Sequence, residues 1–131
     1  MTLWVLGLCL MMLFVGGISI DLWRAFSERT ALANAADAAA VAGSSAIDAD
    51  HFRATNEVRL DPALAEEQAR QSLDSQADRR SLRSASAWAT PERVTVTATG
   101  SVNFTLLRIF MADAEPFTVT VHATASPRRS P

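Results

Sequence analysis

Few groups in this chain could perform chemistry, and they are scattered. Asp48, Asp50 and His51 come closest to a metal-binding cluster, but no further ligand lies near them in the sequence. These residues flank a predicted loop that brings no partner ligands to complete a metal site. A solvated acidic turn is the simpler interpretation. The sequence therefore predicts no metal site and no cofactor.

His122 and the single cysteine, Cys9, are equally isolated. His122 alternates with threonines in a strand-like segment, which is typical of a surface residue, and Cys9 lies inside an uncharged run. One cysteine allows no disulfide framework within the chain and no thiolate metal site. No serine stands in a nucleophile-elbow setting, and no glycine-rich loop follows a strand. We expect no enzymatic activity and no small-molecule substrate.

The uncharged run covers residues 3–20 and is followed at once by Asp21. At about 1.5 Å per residue, a helix of eighteen residues spans roughly 27 Å, close to the hydrocarbon core of about 30 Å. The lipid bilayer is therefore the first expected partner. Residues 1–20 are predicted to be a transmembrane signal-anchor, and residues 21–131 a small extracytoplasmic domain.

Two other interpretations of residues 1–20 stay open. A cleaved secretory signal has a shorter apolar core and small residues before the cleavage site, and Gly17 and Ser19 could serve as these. A lipoprotein signal would need a small residue before Cys9, where Leu8 stands. The length of the run favours the anchor.

The charged residues beyond residue 20 argue against some functions and bear on which side of the membrane the domain lies. The 12 basic and 14 acidic side chains give a net charge of −2, and all follow residue 20. That balance shows neither the basic face of a nucleic-acid-binding protein nor a polybasic membrane patch. Arg24 and Arg29 would by themselves favour a cytoplasmic domain, but Asp21 and Glu28 offset them locally.

An alanine-rich segment, residues 32–43, continues the helical pattern. Seven of its twelve residues are alanine, the strongest helix former, and it contains no proline. Leu32, Ala36, Ala39 and Gly43 fall on one face by their spacing of three and four. We call these four residues the alanine face. Side chains this small would let another element approach closely.

The order of these features resembles the N-terminal segment of bacterial Flp pilus-assembly proteins of the TadE/TadG-like type, in the Tad (tight adherence) system. The matching positions are Asp21, Arg24, Leu32, Asn34, Ala35, Ala36, Asp37, Ala38, Ala39, Ala40, Ala42 and Gly43. Ala33 and Val41 depart from the pattern, where Gln and Leu are common. The resemblance implies a membrane-anchored protein that contacts other Tad/Flp pilus or secretion components at the bacterial cell membrane.

Beyond residue 60, one helix and two strands are predicted. Asp61 followed by Pro62 is a typical helix start, and Ala65, Ala69, Leu73 and Ala77 form a narrow apolar stripe, which predicts a helix over 62–82. Apolar residues then alternate with Thr, Ser, Asn and His over 94–104 and 117–126, which predicts two antiparallel strands with a bulge or bend at Gly100. Residues 106–111 between them suggest a short helix or a membrane-proximal turn.

The predicted fold class is α+β. A transmembrane helix continues into the alanine-rich helix, followed by a second helix and a small antiparallel sheet, in a pilin-like two-layer unit. The predicted function is a membrane-anchored assembly or structural component of a Tad/Flp-type system. The alternative is an exported or membrane-tethered envelope binding domain whose signal peptide is cleaved. Asp37 either faces water or pairs with a cationic group of a partner.

Overall fold

The computed structural model describes residues 1–76, 82–102 and 116–128. Helices precede strands along the chain, and the sheet is antiparallel, which confirms the α+β class. The elements are α1 (Thr2–Ser44), α2 (Ala49–Thr55), α3 (Pro62–Gln76), β1 (Leu82–Thr90), β2 (Arg93–Val102) and β3 (Phe117–Ala125).

Helix α1 joins the uncharged run to the alanine-rich segment without a break, as predicted. It has 43 residues, about 65 Å at 1.5 Å per residue. It ends just after Gly43, where the Ser45 N–H reaches the carbonyl oxygens of Ala42 and Gly43. The C-terminal part of α1 packs on α3 and on one face of the sheet.

The sheet has the order β1-β2-β3. A two-residue turn, Pro91 and Glu92, joins β1 to β2, and β3 pairs along the other side of β2. The inward face consists of small apolar side chains that pack against α1 and, at the β1 edge, against α3, whereas the outward face carries mainly threonine and serine. The buried inward residues are Ala87, Ala89, Val94, Val96, Ala98 and Ala123.

Helix α3 lies against α1 and reaches the sheet mainly at its β1 edge. Its predicted start is confirmed, because Asp61 Oδ1 accepts hydrogen bonds from the N–H groups of Ala63 (3.0 Å) and Leu64 (3.3 Å). Its buried stripe contains Ala65, Ala69 and Leu73. Glu66 Oε1 accepts a hydrogen bond from the Ala89 N–H (3.2 Å) and so ties α3 to the edge strand.

The predicted end of this helix was wrong. Within the described residues α3 ends at Gln76, and Leu82 already belongs to a strand, β1, that the sequence had not indicated. Residues 77–81, including Ala77, lie outside the described part. Strand β1 was missed because its apolar positions are largely alanine, which is depleted in strands.

Two further predictions need correction. The expected acidic turn at residues 48–51 is the start of α2, because Asp48 Oδ1 accepts hydrogen bonds from the N–H groups of Asp50 (3.1 Å) and His51 (3.0 Å). The irregularity expected in β2 at Gly100 lies opposite it, between Leu82 and Ser84 of β1. Residues 103–104 and 106–111 are outside the described part.

Candidate membrane and assembly surfaces

The first surface is the N-terminal part of α1. Side chains of residues 1–20 are exposed almost without exception, and all large apolar groups of this run except Phe14 and Ile18 have exposed fractions above one half. Within the described residues, α1 is the one helix long and apolar enough to cross a bilayer. Trp4 and Trp23 are nineteen residues apart, about 28 Å along the helix. Tryptophan is enriched at membrane interfaces, and this separation is close to the thickness of the hydrocarbon core of a bilayer.

Asp21 follows the uncharged run but does not simply face outward. Its exposed fraction is 5%, whereas its neighbours Ile20 and Leu22 are exposed. Asp21 and Arg24 each interact with another group of the protein. A buried carboxylate is costly unless it is paired or hydrogen-bonded. Asp21 therefore belongs to the packing of the domain as well as to the end of the run.

The alanine face is used inside the chain. All four of its residues are buried, and Ala39 is fully inaccessible. A Cβ atom added at Gly43 would lie 2.8 Å from the carbonyl oxygen of Ala65 and 3.1 Å from Cγ1 of Val94. Helices α1 and α3 thus approach so closely that no methyl group fits between them. This face is not available to a partner subunit.

The opposite side of α1 is free. Asn34 and Asp37 are exposed, and Val41, four residues further on, has an exposed fraction of 63%. The spacing of three and four puts them in one row, which we call the outer stripe. In the described part of the chain, no hydrogen bond or ion pair engages the Asp37 side chain.

The structure therefore divides the residues singled out by sequence. Asp21 and the alanine face are buried, while Arg24, Asn34 and Asp37 are exposed. The family pattern contains all of these residues but does not indicate which of them face the core and which face outward. Val41 was noted only as a departure from the family pattern, although its spacing from Asp37 could have placed it on the outer stripe.

A groove lies where α1 leaves the uncharged run, and sequence reasoning missed it. It encloses about 220 Å³ between α1 and the described ends of β2 and β3. Its lining is apolar except for Arg29. The available signal was the cluster of large apolar residues beyond Asp21, namely Leu22, Trp23 and Phe26.

Of the three residues considered for metal binding, Asp48 has a clear structural role at the start of α2. Asp48 caps α2, and His51 Nε2 lies 3.8 Å from Glu57 Oε2. Among the residues that the structure describes, no three His, Cys, Asp or Glu side chains come together as a metal site would require.

Comparison with known proteins gives one family. The Tad family model, described as "Putative Flp pilus-assembly TadE/G-like", matches residues 1–54. No curated protein and no solved structure matches the chain. The matched segment contains all of α1 and most of α2, while α3 and the sheet lie beyond it. The resemblance seen in the sequence is thus confirmed over the N-terminal 54 residues, which match the model of TadE/G-like Flp pilus-assembly proteins.

Proposed function

We propose that this protein is a membrane-anchored, pilin-like assembly or structural component of a Tad/Flp-type pilus or secretion system, and that it acts through protein–protein contacts. The observation that carries the proposal is α1 itself. One helix exposes large apolar side chains along its first half and forms the core of a small domain with its second half. The family match covers this same helix.

In this proposal residues 1–20 stay in the bacterial cell membrane as a single span, and residues 21–131 form a domain on the extracytoplasmic side. The exposed apolar surface of the span supports retention, because in water it would leave a long continuous apolar surface uncovered. The positions of Trp4 and Trp23 support a crossing of full bilayer thickness.

The outer stripe is the proposed contact surface for a neighbouring subunit. It lies on the side of α1 that the domain leaves uncovered, and it combines an apolar group, Val41, with an unpaired carboxylate, Asp37. Asp37 would meet a cationic group of the partner and so help to set the register between neighbouring helices. The alanine face supports this assembly only indirectly, by holding the domain together.

Fractionation with a C-terminal tag tests the anchor and its topology. We expect the protein to stay with membranes after carbonate washing, to retain residues 1–20, and to lose the tag when protease is added outside the cytoplasmic membrane. Recovery of a soluble mature protein that begins near Ile20 would overturn the anchor. That result would favour the exported envelope domain with a cleaved signal peptide.

A further inference from the structure

The groove beside the end of the uncharged run has walls from two parts of the chain. Leu22 and Phe26 come from α1, and Val102, Phe117 and Val119 come from the strands. Its volume of about 220 Å³ would hold roughly seven groups of the size of water, which takes about 30 Å³ in the liquid, and a methylene group is of similar size. A short length of alkyl chain therefore fits.

The groove lies along α1 at the level where we expect the helix to leave the hydrocarbon of the membrane. Leu22 and Phe26 flank Trp23, whose exposed fraction is 74% and which we place at the edge of the hydrocarbon. Arg29 lies six residues beyond Trp23, about 9 Å further along the axis. Helical side chains lean toward the N-terminus, so the guanidinium group reaches back toward the headgroup layer, which adds roughly 5–8 Å to each side of the core.

The charged residue in the lining of the groove, Arg29, suits an anionic ligand. Among the described residues Arg29 is exposed and takes part in no hydrogen bond or ion pair. A guanidinium group with free N–H donors binds phosphate well, because its planar fork can donate two parallel hydrogen bonds. Leu22 and Phe26 precede Arg29 along α1 and so lie nearer the span, which is the order of acyl chain and phosphate in a lipid leaflet.

We propose that this groove binds one phospholipid of the leaflet on which the domain rests. The upper part of an acyl chain lies against Leu22, Phe26 and Phe117, and the phosphate lies at Arg29. The proposal rests on the membrane anchoring proposed above, and the groove is continuous with that membrane-facing surface. A bound lipid would hold the end of the sheet at the bilayer surface and so fix the tilt of the domain.

Photo-crosslinking of the full chain in vesicles of phosphatidylethanolamine and phosphatidylglycerol tests the site. Benzoylphenylalanine replaces Phe117, Phe26, Leu13 or Trp88, one at a time. We expect phospholipid adducts from positions 117, 26 and 13, identified by mass. Position 88, exposed on β1 far from the span in sequence, should give none.

The outcomes separate this proposal from the anchor. Lipid adducts at position 13 without any at 117 and 26 would overturn the groove and leave the anchor intact. An adduct of position 117 with a second copy of the chain would also overturn it, because the groove would then be a protein interface. Absence of lipid adducts at position 13 would overturn the anchoring itself.

The role of Arg29 is tested by lipid preference in the same assay. Arg29→Gln should lower the share of phosphatidylglycerol among the adducts at position 117 by about fivefold, because one arginine near an anionic surface has an effect of that size. Arg93→Gln removes an exposed arginine at the start of β2 and should leave the share unchanged. Equal shares in wild type and Arg29→Gln would overturn the phosphate contact.

Discussion

The two halves of α1 have the same backbone and opposite surfaces. The first half points large apolar side chains outward around its whole circumference, whereas the second half buries small ones on one side. A helix that is apolar all round fits a lipid environment, and a helix with one apolar face fits a protein core. The comparison shows that the size and direction of the side chains, more than hydrophobicity alone, distinguish a helix segment suited to lipid from one suited to a protein core.

The largest effect on stability is expected from a charge placed on the alanine face. Ala39→Glu should lower the free energy of unfolding of the domain by about 3–5 kcal/mol, since an uncompensated carboxylate would be buried against α3 and the sheet. Chemical denaturation in detergent measures the loss. Ala31→Glu makes the same change at an exposed position of α1 and should have little effect. Equal losses would mean that the alanine face packs against nothing.

A charge in the first half of α1 should weaken membrane insertion and leave the stability of the domain unchanged. Leu10→Arg places a guanidinium group near the middle of the span, at a cost of about 3 kcal/mol of insertion free energy. The fraction of protein retained in the membrane pellet after carbonate washing should fall accordingly. Ala31→Arg should leave retention unchanged, and a similar fall in that control would contradict the assignment of the span.

The two halves should also differ in their tolerance of one methyl group. Gly43→Ala should destabilise the domain by about 1–3 kcal/mol, because the added Cβ would lie 2.8 Å from a backbone oxygen of α3. Among the described residues, the Cβ added in Gly16→Ala meets no atom within 4 Å beyond the adjacent turns of its own helix, so its effect on domain stability should be close to zero. Thermal denaturation of both variants checks this, and a neutral Gly43→Ala would refute the close approach of the helices.

The smallest effect on folding is expected on the outer stripe. Asp37→Asn keeps the size of an exposed side chain and should change the free energy of unfolding by less than about 0.5 kcal/mol. Co-purification with Tad-type components should nevertheless weaken, because the charge proposed to meet the partner is lost. Wild-type behaviour in both measurements would make Asp37 an ordinary solvated residue.

The sequence predicted those elements whose residues carry strong local signals. The length of α1, the Asp61–Pro62 helix start, and the alternation along β2 and β3 all follow from residue types at short spacing. Strand β1 lacks such a signal, because its buried residues are alanines, which pack beneath the neighbouring helices. Their size is set by tertiary packing, which a single segment does not reveal.

The candidate surfaces were predictable to a smaller extent. The family pattern marked Asp37 and Gly43 together, yet one faces outward and the other touches α3. The groove joins Leu22 to Phe117, residues that are distant along the chain and meet only after the sheet has formed on α1. Short-range spacing therefore identifies the helix but not its long-range neighbours.

One distance tests the central claim that a single uncleaved helix runs from the bilayer into the domain. The native Cys9 and a second cysteine, Val41→Cys, carry spin labels in protein purified from membranes and placed in vesicles. Thirty-two residues of unbroken helix predict a narrow distribution near about 48 Å in pulsed electron resonance. A much shorter or broad distribution would show a break in α1, and a mature chain without Cys9 would show cleavage; either result would contradict the account.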